Sequence, residues 1–355
     1  MRAHRWVIAI AAAGLLAGVA LAPARSATGR EGHVHGTLDA SGGNRSGQHI
    51  VWSQFVDLDF SGARIMISDI HGHHRRQLTH PRHGVTDTNP EISPNGRRVV
   101  FERDLPKKSH VVVIGIHGEH RQVLPGCNRK CLGDSLPSWT PDGHHLLVQR
   151  AFGPIVNDSA SSARLWKTDL DGQHFVPVSN PRIDGRFEDF NASFAPAGYI
   201  VFARLSLARD QNAIFRMNRD GSHVCRLTPW ALNADTPDVS PAAKGPTKNR
   251  AVFETYGHND PPAGLASAVA TVNATCGGHH HIRYLTSPHS VPVWHFNPGW
   301  SPHATHLVFV RFKSVNGDPI LHGDLVTSDR NGKHREVITH SPLFDFRPDW
   351  GVAPK

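Results

Sequence analysis

The chain has 355 residues, with 38 Lys and Arg against 30 Asp and Glu, 27 His and a formal charge of +8 at neutral pH. That length, with 32 Gly, suits a single all-β domain with ample core. The basic excess is modest and unclustered, which argues against nucleic acid. It leaves anionic cell-envelope polymers as a candidate partner beside the simpler role of aiding solubility.

Residues 1–27 read as a secretory signal peptide: Arg2 and Arg5, an apolar run from Trp6 to Ala22, then Ala-Arg-Ser-Ala at 24–27. No Cys lies near the cleavage point, so no lipid anchor is expected, and no later apolar run is long enough to span a bilayer. The expected product is a secreted or periplasmic monomer. Residues 28–47, rich in Gly, Ser and His, carry no strand pattern and read as a flexible lead-in.

From residue 48 one phrase recurs six times. Its first half appears as DTNPEISPNGRRVVFER (87–103), DSLPSWTPDGHHLLVQR (134–150), DFNASFAPAGYIVFAR (189–204), ADTPDVSPAAKGPTKNRAVFET (234–255) and HFNPGWSPHATHLVFVR (295–311). Its second half appears as MISDIHGHHRRQLT (66–79), VIGIHGEHRQVL (113–124), KTDLDGQHFVPVS (167–179), RMNRDGSHVCRLT (216–228), TVNATCGGHHHIRYLT (271–286) and TSDRNGKHREVIT (327–339). A period of about 40–60 residues with four strand signals predicts a β-propeller, because one four-stranded unit cannot bury its own faces. Each unit reads strand A, turn, B, connection, C, turn, D. The turns carry Ser93-Pro94-Asn95-Gly96, Asp171-Gly172, Asp220-Gly221 and Asn331-Gly332.

The phrase is split at the chain ends. QHIVWSQF (48–55) matches strand B, and FDFRPDWG (344–351) matches strand A. The expected fold is therefore an all-β, six-bladed propeller with four antiparallel strands per blade, spanning 48–351. Its C-terminal strand joins the N-terminal blade and closes the ring, which removes two raw sheet edges.

The repeated D-x-x-P-x-W-S-P-x-G and DGxxxxxLT phrases resemble those of the TolB-like propeller family over essentially all of 48–351. The resemblance implies this fold and a binding role, which in the family involves a peptidoglycan-associated lipoprotein. The folded domain that precedes the TolB propeller has no counterpart in the segment 28–47. Such folds serve many roles.

Strand direction puts the A–B and C–D turns at one end, here the turn end, and the D–A and B–C connections at the other, the loop end. The turns are short and repetitive. The connections LPKKSH (105–110), AFGPIVNDSASSAR (151–164), YGHNDPPAGLASA (256–268) and KSVNGDPILHGD (313–324) are long and individual, so binding is expected at the loop end.

His74, His120, His174, His223, His280 and His334 recur two residues after the hairpin Gly. At roughly 15–20 Å apart they cannot share a metal, so no metal or other cofactor is expected. His71, His73 and His74, or His279, His280 and His281, could take one adventitiously. Asp87, Asp134 and Asp189 face Arg103, Arg150 and Arg204 across their hairpins, and Asp345 stands at the same place in the C-terminal strand. These read as intra-blade salt bridges, or else as a charged collar at the channel mouth. The sixth unit has His295 where the acid belongs. Arg311 then either pairs with Asp318 or Asp324 or is the collar's free donor for an anionic group.

The four cysteines allow three pairings, of which 127–131 with 225–276 (Cys127–Cys131 and Cys225–Cys276) is preferred. No hydrolase, phosphate-loop or dinucleotide motif is present. The expected function is non-catalytic binding of a protein or peptide at the loop end. The alternative is a metal-dependent, sugar-lyase-like enzyme at the channel, with His295, His258 or His322 on the right face.

Overall fold

The computed structural model describes residues 47–354 except 58, 107, 128–130, 157–158, 180–185, 256–266, 278–279, 288–292 and 316–317, with side chains described outside 154–161 and 314–322. The expected signal peptide, nearly all of the lead-in, His258 and His279 lie outside the described residues, as does the side chain of His322. Among the described residues no helix is long and apolar enough to cross a membrane.

The structure is all-β apart from a short 3-10 turn at Trp230–Leu232. The first unit holds β1 (His49–Phe55), β2 (Ala63–Asp69) and β3 (Arg76–Gln77); the second β4 (Thr86–Ile92), β5 (Arg98–Leu105), β6 (Lys108–Gly115) and β7 (Gln122–Val123). The third holds β8 (Cys131–Trp139), β9 (His145–Val156), β10 (Ser159–Asp169) and β11 (Val176–Pro177); the fourth β12 (Phe187–Phe194), β13 (Tyr199–Ser206), β14 (Gln211–Asn218) and β15 (Cys225–Arg226). The fifth holds β16 (Ala234–Val239), β17 (Arg250–Thr255), β18 (Ala268–Asn273) and β19 (Arg283–Tyr284). The sixth holds β20 (Val293–Trp300), β21 (His306–Val315), β22 (Asp318–Asp329) and β23 (Glu336–Val337), and the last strand is β24 (Asp345–Gly351).

Pairing within each unit is antiparallel, and β24 lies against β1, with His49 opposite Gly351 and Gln54 opposite Asp345. Two single-residue parallel bridges, Ala63 to Thr86 and Ser109 to Gly133, stitch the first unit to the second and the second to the third.

Consecutive units bury their apolar faces against each other. Val51, Ile65 and Ile67 of the first unit pack with Val99, Phe101 and Val112 of the second. The same relation recurs between second and third, third and fourth, fourth and fifth, and fifth and sixth. A further cluster joins Val308, Val310 and Leu325 of the sixth unit to Ile50, Trp52, Phe346 and Trp350.

Two repeated residue types owe their place to this packing. The hairpin glycines have positive φ and also press on the preceding unit: a Cβ on Gly221 would lie 1.9 Å from the Val178 carbonyl oxygen, and one on Gly72 1.9 Å from that of Ile338. The Thr or Ser of the Leu-Thr phrase finishes the ladder where the two-residue outer strands stop. Thr79, Ser179, Thr228, Thr286 and Thr339 accept the backbone N–H of Ile65, Leu165, Ile214, Val269 and Leu325 at 2.8–3.0 Å.

The repeated histidines have a backbone reason too. His74, His120, His223 and His334 have φ of 51–52°, the left-handed region, where His, Asn and Asp are enriched among non-glycine residues. Cys225 and Cys276, with Cα atoms 5.9 Å apart, link the fourth unit to the fifth, and Cys127 and Cys131 close the connection before β8.

Three connections read as loops are largely strand, the first being 105–110, where Leu105 of β5 pairs with Lys108 of β6. Residues 151–156 and 159–164 extend the β9–β10 hairpin, with Ser159 opposite Val156, and the β21–β22 ladder continues to Val315 opposite Asp318.

Gly221→Ala should destabilise the fold well beyond Gly198→Ala. Both glycines have φ near +84°, but only Gly221 meets a neighbouring carbonyl, while nothing lies within 4 Å at Gly198. Thermal melts should show a modest loss at 198, about 1–2 kcal/mol, and a further 1–3 kcal/mol at 221; equal shifts would remove the close-approach argument.

Candidate binding channel

The first strand of each unit bulges at one residue held at positive φ: Asn89, Leu136, Asn191, Thr236, Asn297 and Arg347, with φ of 45–53°. The pairing register slips at each of these points. Asn tolerates this conformation, whereas β-branched Thr236 is a true outlier of the kind that concentrates at functional sites. The next residue is Pro at 90, 137, 237, 298 and 348 and Ala at 192, so most of these inward-facing edge strands present no N–H there. The third residue is Glu91, Ser138, Ser193, Asp238, Gly299 or Asp349. Together the six triplets line one cavity of about 150 Å³.

The third position stitches the seams between units. Asp349 Oδ2 accepts the Ile92 N–H at 2.8 Å, Glu91 Oε1 that of Trp139 at 3.0 Å, and Asp238 Oδ2 that of Trp300 at 2.7 Å. Ser193 Oγ accepts the Val239 N–H at 3.0 Å and donates to Asp238 Oδ1 at 2.9 Å. Burial pushes the Asp349 carboxyl up to about 7 and that of Asp238 to about 6, and raises Glu91 well above the usual carboxylate range with the charge of Asp349 adding to the effect.

One layer nearer the loop end, the Arg347 guanidinium reaches across the lumen and donates to Asn191 Oδ1, three units away, at 3.3 Å, while its backbone N–H donates to Asn297 Oδ1 at 3.2 Å. Asn89 Oδ1, Ser138 Oγ and Thr236 Oγ1 are buried acceptors without a protein partner. The channel therefore offers carboxylates and spare oxygens to a donor or cation, behind one guanidinium at its neck.

The charged positions expected from sequence lie outside this lumen. Arg103, Arg150 and Arg204 each grip the facing Asp87, Asp134 and Asp189 through two bonds of 2.6–3.0 Å. The aspartate side chains are at most 3% exposed. Arg150 also lies 3.6 Å from the Phe175 ring centre, and Arg204 lies over Phe202 and Phe215. The other three units depart from the pattern. The fifth has Ala234 and Thr255 at these positions. In the first, Asp345 Oδ1 accepts from Trp52 Nε1 at 3.0 Å and Gln54 Nε2 at 2.8 Å, and burial raises its carboxyl to about 6.

In the sixth unit His295 is buried with Nδ1 unpartnered, and burial, followed by the charges of Arg335 and Arg311, lowers it to about 4. Arg311 turns to Asp324, one of the two partners read from the sequence, at 3.4 Å.

The channel residues Glu91, Asp238, Arg347 and Asp349 escaped the sequence reading. Their signal was the variable residue on either side of the repeated proline.

No protein-family model and no curated protein matches the chain. Among solved structures, TolB from Acinetobacter baumannii superposes with a TM-score of 0.62 at 18% identity, covering 88% of this chain and 68% of that one. A putative TolB from Agrobacterium tumefaciens gives 0.54 at 15% identity, covering 86% and 90%. A chain of a nidogen/laminin complex gives 0.59 at 10% identity, covering 87% and 100%. The chain has a TolB-like β-propeller fold. At such identities the likeness speaks for fold alone.

Two predictions follow from these environments. Asp134→Ala strands the Arg150 charge and should cost about 3–5 kcal/mol in chemical denaturation. Arg311→Ala removes one longer, less buried pair and should cost under about 1 kcal/mol; equal losses would make Arg311 as structural as Arg150.

The second concerns pH. A carboxyl raised to about 7 in the fold, from 3.8, costs nothing while protonated in both states and destabilises the fold once ionised. Stability from Asp349 is thus lost as pH rises from about 4 through 7, whereas the lowered His295 works in the opposite sense, so the variant difference is the readout. The melting temperature should fall less between pH 5 and 8 in Asp349→Asn than in wild type, and identical profiles would contradict the channel environment.

Proposed function

We propose that the six units are six blades of a closed propeller spanning 48–351, exported through the signal at 1–27, and that it binds a protein or peptide at its loop end. The apolar cluster between the sixth and first units, the β1–β24 pairing and the seat of Gly72 on Ile338 support the closure. Without residues 344–355 the first blade would lack its inner strand and expose Ile50 and Trp52. Truncation should produce aggregation or a large drop in melting temperature, and an unchanged monomer would refute closure.

The observation that carries the binding reading is the pair of long hairpins, β9–β10 and β21–β22, in the third and sixth units. In a ring of six these stand on opposite sides of the channel mouth at the loop end, with Arg347 at the neck between them. Such arms bracket a partner and offer backbone edges to an extended peptide. The sugar-lyase-like alternative needs imidazole and acidic ligands converging on the axis. The described lining holds amides, hydroxyls, carboxylates and one guanidinium, in a volume about half the usual lower bound for a small-molecule site.

The test is capture of partners from the envelope or secreted fraction by the immobilised protein, repeated after removing 154–161 or 314–321. The reading expects a captured species that is lost with either hairpin tip while the melting temperature holds. Capture indifferent to both tips would overturn it.

A further inference from the structure

The end opposite the proposed partner face carries a feature that the binding reading does not use. Exposed Arg75, Arg97, Arg98, Arg121, Arg330 and Arg335 stand on the A–B and C–D turns, joined there by eleven exposed histidines among the described residues. Acids stand on the same turns: Glu119, Asp142, Asp171 and Asp220 are exposed, whereas Asp69, Asp169 and Asp329 lie lower, and most of them accept backbone N–H groups of their own turn. Asp69 Oδ1 accepts the N–H of His71 and His73, Asp142 Oδ1 that of His144, Asp220 Oδ1 that of Ser222, and Asp329 Oδ1 those of Asn331 and Lys333, at 2.8–3.0 Å. At three of these turns the charge is layered. The side chains of Asp69, Asp169 and Asp329 are 31%, 28% and 25% exposed, whereas His73, His174 and His334 above them are 74%, 82% and 71% exposed.

A second observation gives this surface a pocket. A cavity of about 260 Å³ opens in the second unit among Arg97, Arg98, His120 and Gln122. Its acid, Glu119, is engaged by the His117 N–H through Oε2 at 3.0 Å. Two guanidinium-bearing side chains and an imidazole around a cavity of that size suit a phosphate group.

We propose that the turn end docks on an anionic phospholipid membrane, with a lipid phosphate in the Arg97–Arg98–His120 pocket. The shape of the end decides between a membrane and a soluble polyanion. In the closed ring proposed above, from which this inference takes only the coplanarity of the turns, the six hairpin tips stand at one height. A plane touches all of them at once, whereas a single chain follows only a few. Each basic residue near an anionic surface adds affinity, and salt weakens it within a Debye length.

Imidazoles take up protons between pH 8 and 5, so the attraction grows as pH falls. The groups facing the invoked histidines are of both signs, with His71 beside Glu336 and His117 beside Arg76. His73 faces Asp69, His174 faces Asp169 and Asp171, His334 faces Asp329, and His120 shares its pocket with Arg97, Arg98 and Glu119.

The test is co-sedimentation of the purified protein with vesicles of pure phosphatidylcholine or with about one-third phosphatidylglycerol, at pH 5.5 and 7.5 and at low and high salt. The inference expects binding to the anionic vesicles alone, tighter at pH 5.5 and released by salt. Arg97→Gln and Arg98→Gln should each weaken it about fivefold, while Arg82→Gln at the loop end should leave it unchanged. Binding equal on both vesicle types, or lost equally with Arg82→Gln, would overturn the surface assignment. Release from vesicles by stoichiometric soluble polyphosphate would overturn the membrane in favour of a polymer. Partner capture at the loop end is read separately, so either result can fail without the other.

Discussion

Each four-strand unit exposes two apolar faces that only its neighbours can cover. Every other feature of the structure follows from that dependence. Side chains such as Phe101, Phe202, Phe253 and Phe309 reach full burial only at the junctions between units. Gly72, Gly221 and Gly332 then have to be glycine, because the adjoining unit's backbone occupies the space of a side chain. At roughly 25 cal/mol per Å² of buried apolar surface, these junctions outweigh any single polar contact in the molecule.

Close packing of the units also creates the channel. Six strands border one cavity with the edge that faces it unpaired, and an unpaired edge must be satisfied without another strand. Proline removes one donor from five of these strands. The carboxylates of Glu91, Asp238 and Asp349 each take an N–H of the next unit. A structural duty thus places three acids in a narrow lumen, where burial holds their protons more tightly than water would. Arg347 brings a permanent positive charge to the same axis and is hydrogen-bonded to amides on two other units. The charged residues most conspicuous in the sequence have the opposite character. Arg150 and Arg204 are held by aspartate and aromatic rings and have little freedom to meet a ligand.

The two ends of the molecule differ in what repetition can do for them. At the turn end, similar hairpins repeat an imidazole from unit to unit, joined by arginine at 75, 121 and 335, which favours a broad, charge-driven contact. At the loop end, the third and sixth units carry hairpins longer than any others among the described residues, which favours a specific partner.

The sequence by itself determined the all-β class, the repeat, the strand order within each unit and the split of one unit between the chain ends, because these rest on local patterns of period two and on turn chemistry. It also located Asp87–Arg103, Asp134–Arg150 and Asp189–Arg204, since facing positions in a hairpin are set by counting from the turn. Only the tertiary structure decided that Arg311 turns to Asp324, that 151–156 and 159–164 are strand, and that Glu91, Asp238, Arg347 and Asp349 share one lumen. Those residues come from strands as much as 258 positions apart, from Glu91 to Asp349. Their convergence depends on how the units pack against one another, which no local pattern records.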